Sequence, residues 1–317
     1  MSRTALGAAG ALGAGALLSA ACFSHDHRTK PRVAVVDGDP IVQMAPEGKF
    51  SSLTDPRLVP LKQHTDPPFR NERVVGVTLA EPVRMYPIGL LDDFEVVNDE
   101  AGGTPYVVAR CALTDLSTIL DRRVAGRTLT FENSGALWKD MLVLRDKETG
   151  TYWTPATGRA LSGPLAGESL TVLPSTMTTA EAWRELYPAT VCLDTGDLSA
   201  VPLRLRLYAM SPWEGVSGEK TKDTRFKPKE EVFFVAGANE ALAFTAAEIR
   251  QKKSVAATLE GLALTIDWDG AARTPRAWRQ IVAAKQELPV VPIYWFALLE
   301  QFPTVRTIKD SPPSGRP

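Results

Sequence analysis

Two stretches decide the fold: "VVGVTLAEPVRMYPIGLLDDFEVVNDEAGGTPYVVARC", Val74 to Cys111, and "VFFVAGANEALAFTAAEIRQKKSVAATLEGLALTIDWD", Val232 to Asp269. They align without a gap: Val77 falls on Val235, Tyr86 on Phe244 and Gly103 on Gly261. Self-similarity at a constant spacing is the mark of a duplicated structural unit. Each unit reads as strand, strand, short helix, strand, turn, strand. "RVVGVTL" and "EPVRMYP" are spaced to pair as a hairpin. "IGLLDDF" is the first unit's helix, and Gly102–Gly103 turns the chain into the buried run Tyr106–Cys111. The second unit's helix opens with a capping box, Thr245 and Glu248. The expected fold is therefore α+β and predominantly β. Two pseudo-repeated strand-rich units, 74–111 and 232–269, pack as one domain (37–308) with a few short helices.

The rest of the chain supplies further elements. "STILDRR", "RTLTFE", "MLVLRD" and "TYWT" read as strands, and the connectors "VAG" and "KETG" have hairpin length. In "TMTTAEAWRELYPAT", Thr178 and Glu181 have capping-box spacing, Trp183, Leu186 and Tyr187 form an apolar face, and Pro188 stops the helix. "VPLRLRLY" alternates strictly, which predicts a half-buried strand with Arg204 and Arg206 outward. "PIYWFALLEQFPTVRTI" predicts a short buried helix and a last strand. The proline-rich lead-in 37–68 predicts irregular chain laid on the surface, and 309–317 a disordered tail.

The chain opens with "MSRTALGAAGALGAGALLSAAC", a basic residue, an apolar stretch and then small residues. This is the pattern of a secretory signal peptide, residues 1–21, ending in a lipobox-like "LLSAAC". Cys22 is then the lipid-attachment residue, 22–36 a tether, and the mature chain a membrane-anchored envelope lipoprotein. Without lipidation the same signal predicts a secreted or periplasmic protein. Cys111 and Cys192 are the remaining cysteines. Two cysteines do not make a disulfide framework; two reduced, packed thiols are the leading expectation, with a Cys111–Cys192 bridge as the alternative. With 36 basic and 37 acidic residues and a net charge of −1, the chain has no electrostatic footprint for nucleic acid.

"MYPIGLLDDFEVVNDEAGGTPYVV", "LDRRVAGRTLTFENSGALWKDMLVLRDKETGTYWTPATGRALSGPLAG", "LTVLPSTMTTAEAWRELYPAT", "FKPKEEVFFV" and "YWFALLEQFP" resemble a bacterial extracytoplasmic family known as domain of unknown function 3179. The resemblance covers Asp37 to Ile308 and implies a fold and a compartment rather than a reaction. After the strand ending at Arg110, members typically show Cys-Pro-Leu, then Cys or Thr, then Gly. Here the run is Cys111, Ala112, Leu113, Thr114, Asp115, so one cysteine is kept while the proline and glycine are lost. Where the family often has a histidine before the Glu of its "EIVND"-like run, this chain has Phe94. The resemblance thus implies a divergent member with a vestigial site at Cys111, Thr114 and Asp115.

Thiolate and imidazole are the ligands that hold copper or zinc. All three histidines, His25, His27 and His64, precede the repeat, and two lie in the tether. A Cys-His-Asp triad lacks its histidine for the same reason. His25-Asp26-His27 beside the anchor has some metal-binding character, with a solvated linker as the plainer reading. The carboxylate pairs Asp92-Asp93, Asp99-Glu100 and Asp115 with Asp121 have the chemistry for acid–base work, although carboxylates at turns are ordinarily just solvated. No catalytic residue, metal ligand or cofactor is assigned. The leading expectation is a non-enzymatic binding or assembly module with an envelope protein partner. The alternative is an extracytoplasmic redox or metal-dependent protein, using copper or zinc, built around Cys111.

Overall fold

The computed structural model describes residues 29–61, 72–194, 203–282 and 284–310. Residues 1–21, read as a signal peptide, together with Cys22, His25, His27, His64 and residues 311–317, lie outside the described residues. The lead-in is more regular than its prolines predict, with β1 (Arg32–Val36), β2 (Asp39–Gln43), β3 (Leu53–Thr54) and β4 (Leu58–Pro60). The first β1–β2 hairpin begins inside the segment read as tether. The first unit follows as β5 (Arg73–Val77), β6 (Arg84–Pro87), α1 (Ile88–Phe94), β7 (Val96–Ala101), β8 (Thr104–Cys111) and β9 (Leu116–Asp121). An inserted segment adds β10 (Arg123–Val124), β11 (Arg127–Thr128), β12 (Phe131–Trp138), β13 (Met141–Asp146), β14 (Tyr152–Trp153), β15 (Ala160–Ser162) and β16 (Val172–Leu173). The unit then closes with β17 (Thr176–Thr179), α2 (Ala180–Leu186) and β18 (Val191–Leu193).

A connecting helix, α3 (Leu203–Met210), leads to the second unit. That unit comprises β19 (Glu231–Ala236), β20 (Glu240–Phe244), α4 (Ala246–Lys252), β21 (Ser254–Leu259), β22 (Leu262–Asp269), β23 (Thr274–Ile281) and β24 (Ala284–Leu288). It ends in β25 (Val291–Tyr294), α5 (Trp295–Gln301) and β26 (Thr304–Thr307). The fold is predominantly β, with short helices between sheets.

The duplication is deeper than the two quoted stretches. One sheet of the first unit runs β17-β5-β6-β18-β4, and its counterpart runs β25-β19-β20-β26. In both, the first two pairings are antiparallel and the third parallel. The registers coincide residue by residue. Gly76 pairs with Thr176 as Phe234 pairs with Val291, and Arg84 pairs with Val191 as Leu242 pairs with Arg306. Each unit also carries an antiparallel meander, β7-β8-β9 and β21-β22-β23. The inner faces of the two units share one core, in which Val75, Tyr86 and Val108 meet Phe233, Phe244 and Leu264.

The inserted segment builds a sheet of order β1-β2-β12-β13-β14-β15. It lies over the outer face of the first meander, where Val107, Ala109 and Leu120 pack with Phe131, Leu144 and Trp153. Trp153 donates its indole N–H to Asp146 at 2.9 Å, so a buried ring keeps its polar edge satisfied.

Two local readings are corrected. "LRLRLYAM" is helix α3, not a strand. Leucine, arginine, alanine and methionine are strong helix formers, and a two-residue alternation wound onto a helix spreads the leucines around it. The consequence is an exposed Leu207. Helix α2 is capped by Thr179, whose hydroxyl accepts from the Ala182 N–H at 3.3 Å; Thr178 instead donates to the Ala272 carbonyl at 2.5 Å. The capping box of α4 forms as read, with Thr245 and Glu248 exchanging hydrogen bonds. No described helix is long and apolar enough to cross a membrane.

Helix packing repeats with sizes exchanged. In the first unit Trp183 of α2 lies over Gly76, where a Cβ would stand 2.1 Å from the ring. The corresponding pair in the second unit is Leu298 over Phe234, both buried. A Gly76→Val substitution therefore overpacks a site that a tryptophan already fills. It is expected to destabilise the chain by about 1–3 kcal/mol, read as a lower urea midpoint.

Candidate functional site

Cys111 ends β8, and the tight turn Ala112–Asp115 reverses the chain into β9. Strand alternation sends Arg110 and Cys111 to opposite faces. Cys111 faces the inserted sheet and is buried among Leu116, Leu142 and Trp153. Its sulfur accepts from the Leu142 N–H at 3.4 Å, and burial pushes the thiol above its ordinary range. Tyr208 of α3 closes the turn from outside. Its hydroxyl donates to the Leu113 carbonyl at 2.8 Å and accepts from the Gly215 N–H at 2.9 Å. Thr114 is fully buried, and its carbonyl accepts from the Tyr294 N–H at 2.7 Å. The Thr114 hydroxyl lies near enough to influence the thiol but makes no hydrogen bond of normal geometry.

Asp115 serves the other face. It sits at a left-handed φ of 55°, buried, and takes Arg110 at 2.7 Å and Arg73 at 3.0 Å. Arg110 also donates to Asp92 at 2.9 Å, while Arg73 pairs with Glu231 of the second unit. Burial alone would raise the Asp115 carboxyl; the two guanidiniums outweigh it and hold it below the usual range. For Glu231 burial wins over the attraction of Arg73, and Asp115 adds repulsion, so the carboxyl rises to about 7. Asp92 is likewise raised by burial against the pull of Arg110. Thus Cys111 and Asp115, four residues apart, are separated by the sheet itself. Among the described residues no hydrogen bond joins the thiol to a base, and the Asp115 carboxylate is held by two arginines.

A second buried cluster escaped the sequence reading. The Tyr86 hydroxyl is 2.5 Å from both Asp99 and the Tyr106 hydroxyl, and Arg84 donates to Asp99 at 2.5 Å and Tyr106 at 3.3 Å. Burial lifts both phenols well above their ordinary range. The equivalent positions in the second unit are Leu242, Phe244, Ala257 and Leu264, all in the apolar core. The repeat alignment itself held this signal, since four polar residues in one copy face four apolar ones in the other. Of the carboxylate pairs, Asp99 joins this cluster, Asp92 binds Arg110, and Asp121 binds Arg123 at 2.6 Å. They do not converge on one another.

A cleft of about 420 Å³ lies elsewhere, between the β12–β13 turn, β2, α5 and the loop after α3. Lys139 and Asp140 form that turn, both at positive φ. Asp140 accepts from the backbone of Val216 at 2.8 Å and Ser217 at 2.9 Å, and from the Ser217 hydroxyl at 2.5 Å. Gly215 is required here, because a Cβ would stand 2.2 Å from the Asp140 carboxylate. Lys139 pairs with Asp39 at 3.4 Å. One Glu300 oxygen is buried without a hydrogen-bond partner; burial and the nearby Asp140 raise that carboxyl to about 9. Among the described residues no three cysteine, histidine, aspartate or glutamate side chains converge to hold a metal ion.

The family described as "Protein of unknown function (DUF3179)" matches residues 47–306. No curated protein and no solved structure matches the chain.

Removing the Asp115 carboxylate leaves Arg110 buried with one partner fewer. Asp115→Ala is expected to cost about 3–5 kcal/mol, measured by urea unfolding. Glu300 keeps its proton in the fold up to about pH 9, whereas in the unfolded chain it loses it near its ordinary 4.5. The folded chain thus binds more protons in this window, and stability falls as pH rises. Glu231 acts in the same direction up to about pH 7. Comparing urea midpoints at pH 5.5 and 8, Glu300→Gln is expected to show a smaller fall than the parent chain.

Proposed function

We propose, from the premise that this chain belongs to the DUF3179 family of proteins of unknown function, that it is an envelope lipoprotein acting as a non-enzymatic binding or assembly module. Its anchor is a diacylglyceryl group on Cys22, following the "LLSAAC" run. The observation that carries the non-enzymatic reading is the enclosure of Cys111. A nucleophile or metal ligand needs a thiolate with access and a polarising neighbour. This thiol is buried, its pKa is pushed up, and the nearest carboxylate of the motif is turned to the opposite face and neutralised by Arg73 and Arg110. A family motif that has lost its proline and glycine retains the thiol as a packing residue.

Binding then falls to surfaces away from Cys111. The cleft bordered by Asp39, Lys139, Asp140, Ser217 and Glu300 is concave, lined by polar and apolar side chains together, and built from four separate chain segments. These are the attributes of a ligand seat rather than a packing defect.

The experiment is purification of the full chain from the cell envelope, beside a Cys111→Ser variant. The expected results are a diacylglyceryl-modified Cys22 by mass spectrometry, thiols that label only after denaturation, and the same metal content in both proteins. Rapid native labelling of Cys111, or stoichiometric copper or zinc lost in the variant, overturns the reading in favour of a redox or metal protein. An unmodified N-terminal segment overturns the anchor alone.

A further inference from the structure

The cleft between the β12–β13 turn, β2, α5 and the loop after α3 carries an imbalance of charge that its own residues leave unresolved. Four carboxyl side chains line it, Asp39, Asp140, Glu219 and Glu300, against one cation, Lys139. Two of the four are already served. Asp140 accepts from the Val216 and Ser217 backbone and from the Ser217 hydroxyl, and Asp39 pairs with Lys139 at 3.4 Å. Lys139 also lies over the Trp138 ring, 4.7 Å from its centre, so the one cation is engaged on two sides.

Glu300 is not served in this way. Its place is fixed by its neighbour: the Gln301 amide accepts from the Thr154 hydroxyl at 3.3 Å and donates to the Lys139 carbonyl at 3.5 Å, which fastens the end of α5 to the turn. The Glu300 carboxyl is thus held at the cleft by the helix and not by a bond of its own, and one of its oxygens is enclosed without a hydrogen-bond partner. Burial is the main reason it keeps its proton to about pH 9; Asp140, Asp39 and Glu214 add repulsion, and Lys139 pulls the other way. An enclosed oxygen left without a donor is costly. A positive charge carrying N–H donors would answer both the oxygen and the surplus of negative charge. Among the described residues no three carboxylates converge to hold a metal ion, and Val42, Met44 and Leu137 line the same space. Dispersed carboxyls beside an apolar wall suit an organic cation with an apolar body, and about 420 Å³ is room for one.

Building on the reading of this cleft as a ligand seat, we propose that it takes a primary ammonium compound with a short apolar body, the ammonium donating to Glu300 and the body lying against Val42, Met44 and Leu137. Seating the cation expels the carboxyl proton. The O–H bond of Glu300 breaks, the proton passes to solvent, and the carboxylate that remains accepts from the ammonium. Binding at neutral pH is therefore coupled to release of up to one proton, and affinity rises with pH until Glu300 ionises unaided.

The test is isothermal titration calorimetry of the full chain at neutral pH, with n-pentylammonium, 1-pentanol and pentanoate as probes. Each titration is run in phosphate and in HEPES, whose different heats of ionisation report proton release. Pentylammonium is expected to bind roughly tenfold tighter than either of the others, and to release a proton as it does so. Glu300→Gln is expected to abolish the proton release and to weaken pentylammonium roughly tenfold. Lys139→Met is expected to tighten it roughly threefold, because the competing cation is gone and Asp39 is freed; a merely structural lysine would not do this. Pentanol or pentanoate binding as tightly as the ammonium overturns the proposal and leaves the cleft a seat for other chemistry. Ammonium binding that releases no proton, or that neither variant changes, lies away from Glu300 and overturns it too. Binding of none of the three overturns the ligand seat itself and the proposal with it.

Discussion

The guanidinium of Arg73 touches both halves of the molecule. It holds Asp115 of the first unit at 3.0 Å and Glu231 of the second, and Glu231 stands 158 residues on, at its own repeat position. Corresponding positions of two pseudo-symmetric units meet here, and identical side chains would bring like charge against like. Arginine in one copy and glutamate in the other turns that meeting into an ion pair. Arg110 supplies the second positive charge that Asp115 needs once it is buried. The tight turn after β8 is thereby fixed by charge on one face, and the placement of Cys111 on the opposite face follows from strand alternation.

How much of this was readable before folding depends on distance along the chain. The repeat was legible because its first part carries no insertion in either copy, so a constant spacing exposes it. Its second part, β17-α2-β18 against β25-α5-β26, follows the same plan with equal registers. It was hidden because the inserted sheet displaces it in one copy only. The alternation in Leu203–Tyr208 misled for a physical reason: period two is a strand signal only where a partner strand and a core face exist, and α3 has neither. The state of Cys111 was illegible because Leu142 and Trp153, which help to enclose it, come from segments far away in sequence.

The two copies also divide labour. Arg84, Tyr86, Asp99 and Tyr106 form a buried polar cluster where the other copy places Leu242, Phe244, Ala257 and Leu264. The backbone pairing is the same in both, so the cluster is not needed to make this sheet. Buried polar networks of this kind fix one arrangement of a core more than they deepen its stability. The second copy is the plain scaffold, and the chemically distinctive interior belongs to the first.

The insertion also leaves the two meanders unequally sheltered. Nearly every residue of β8 is buried, one face under the added sheet and the other in the core shared by the two units, whereas β21, β22 and β24 alternate between core and solvent or lie mostly exposed. Local opening runs from the least covered hydrogen bonds inward. Amide protons along β24 and the outer side of β21 therefore exchange first, and those of β8 persist until the whole chain unfolds. One ancestral plan, written twice, thus yields a slow half and a fast half, and the difference is set by what lies on top of each sheet and not by how its strands are paired.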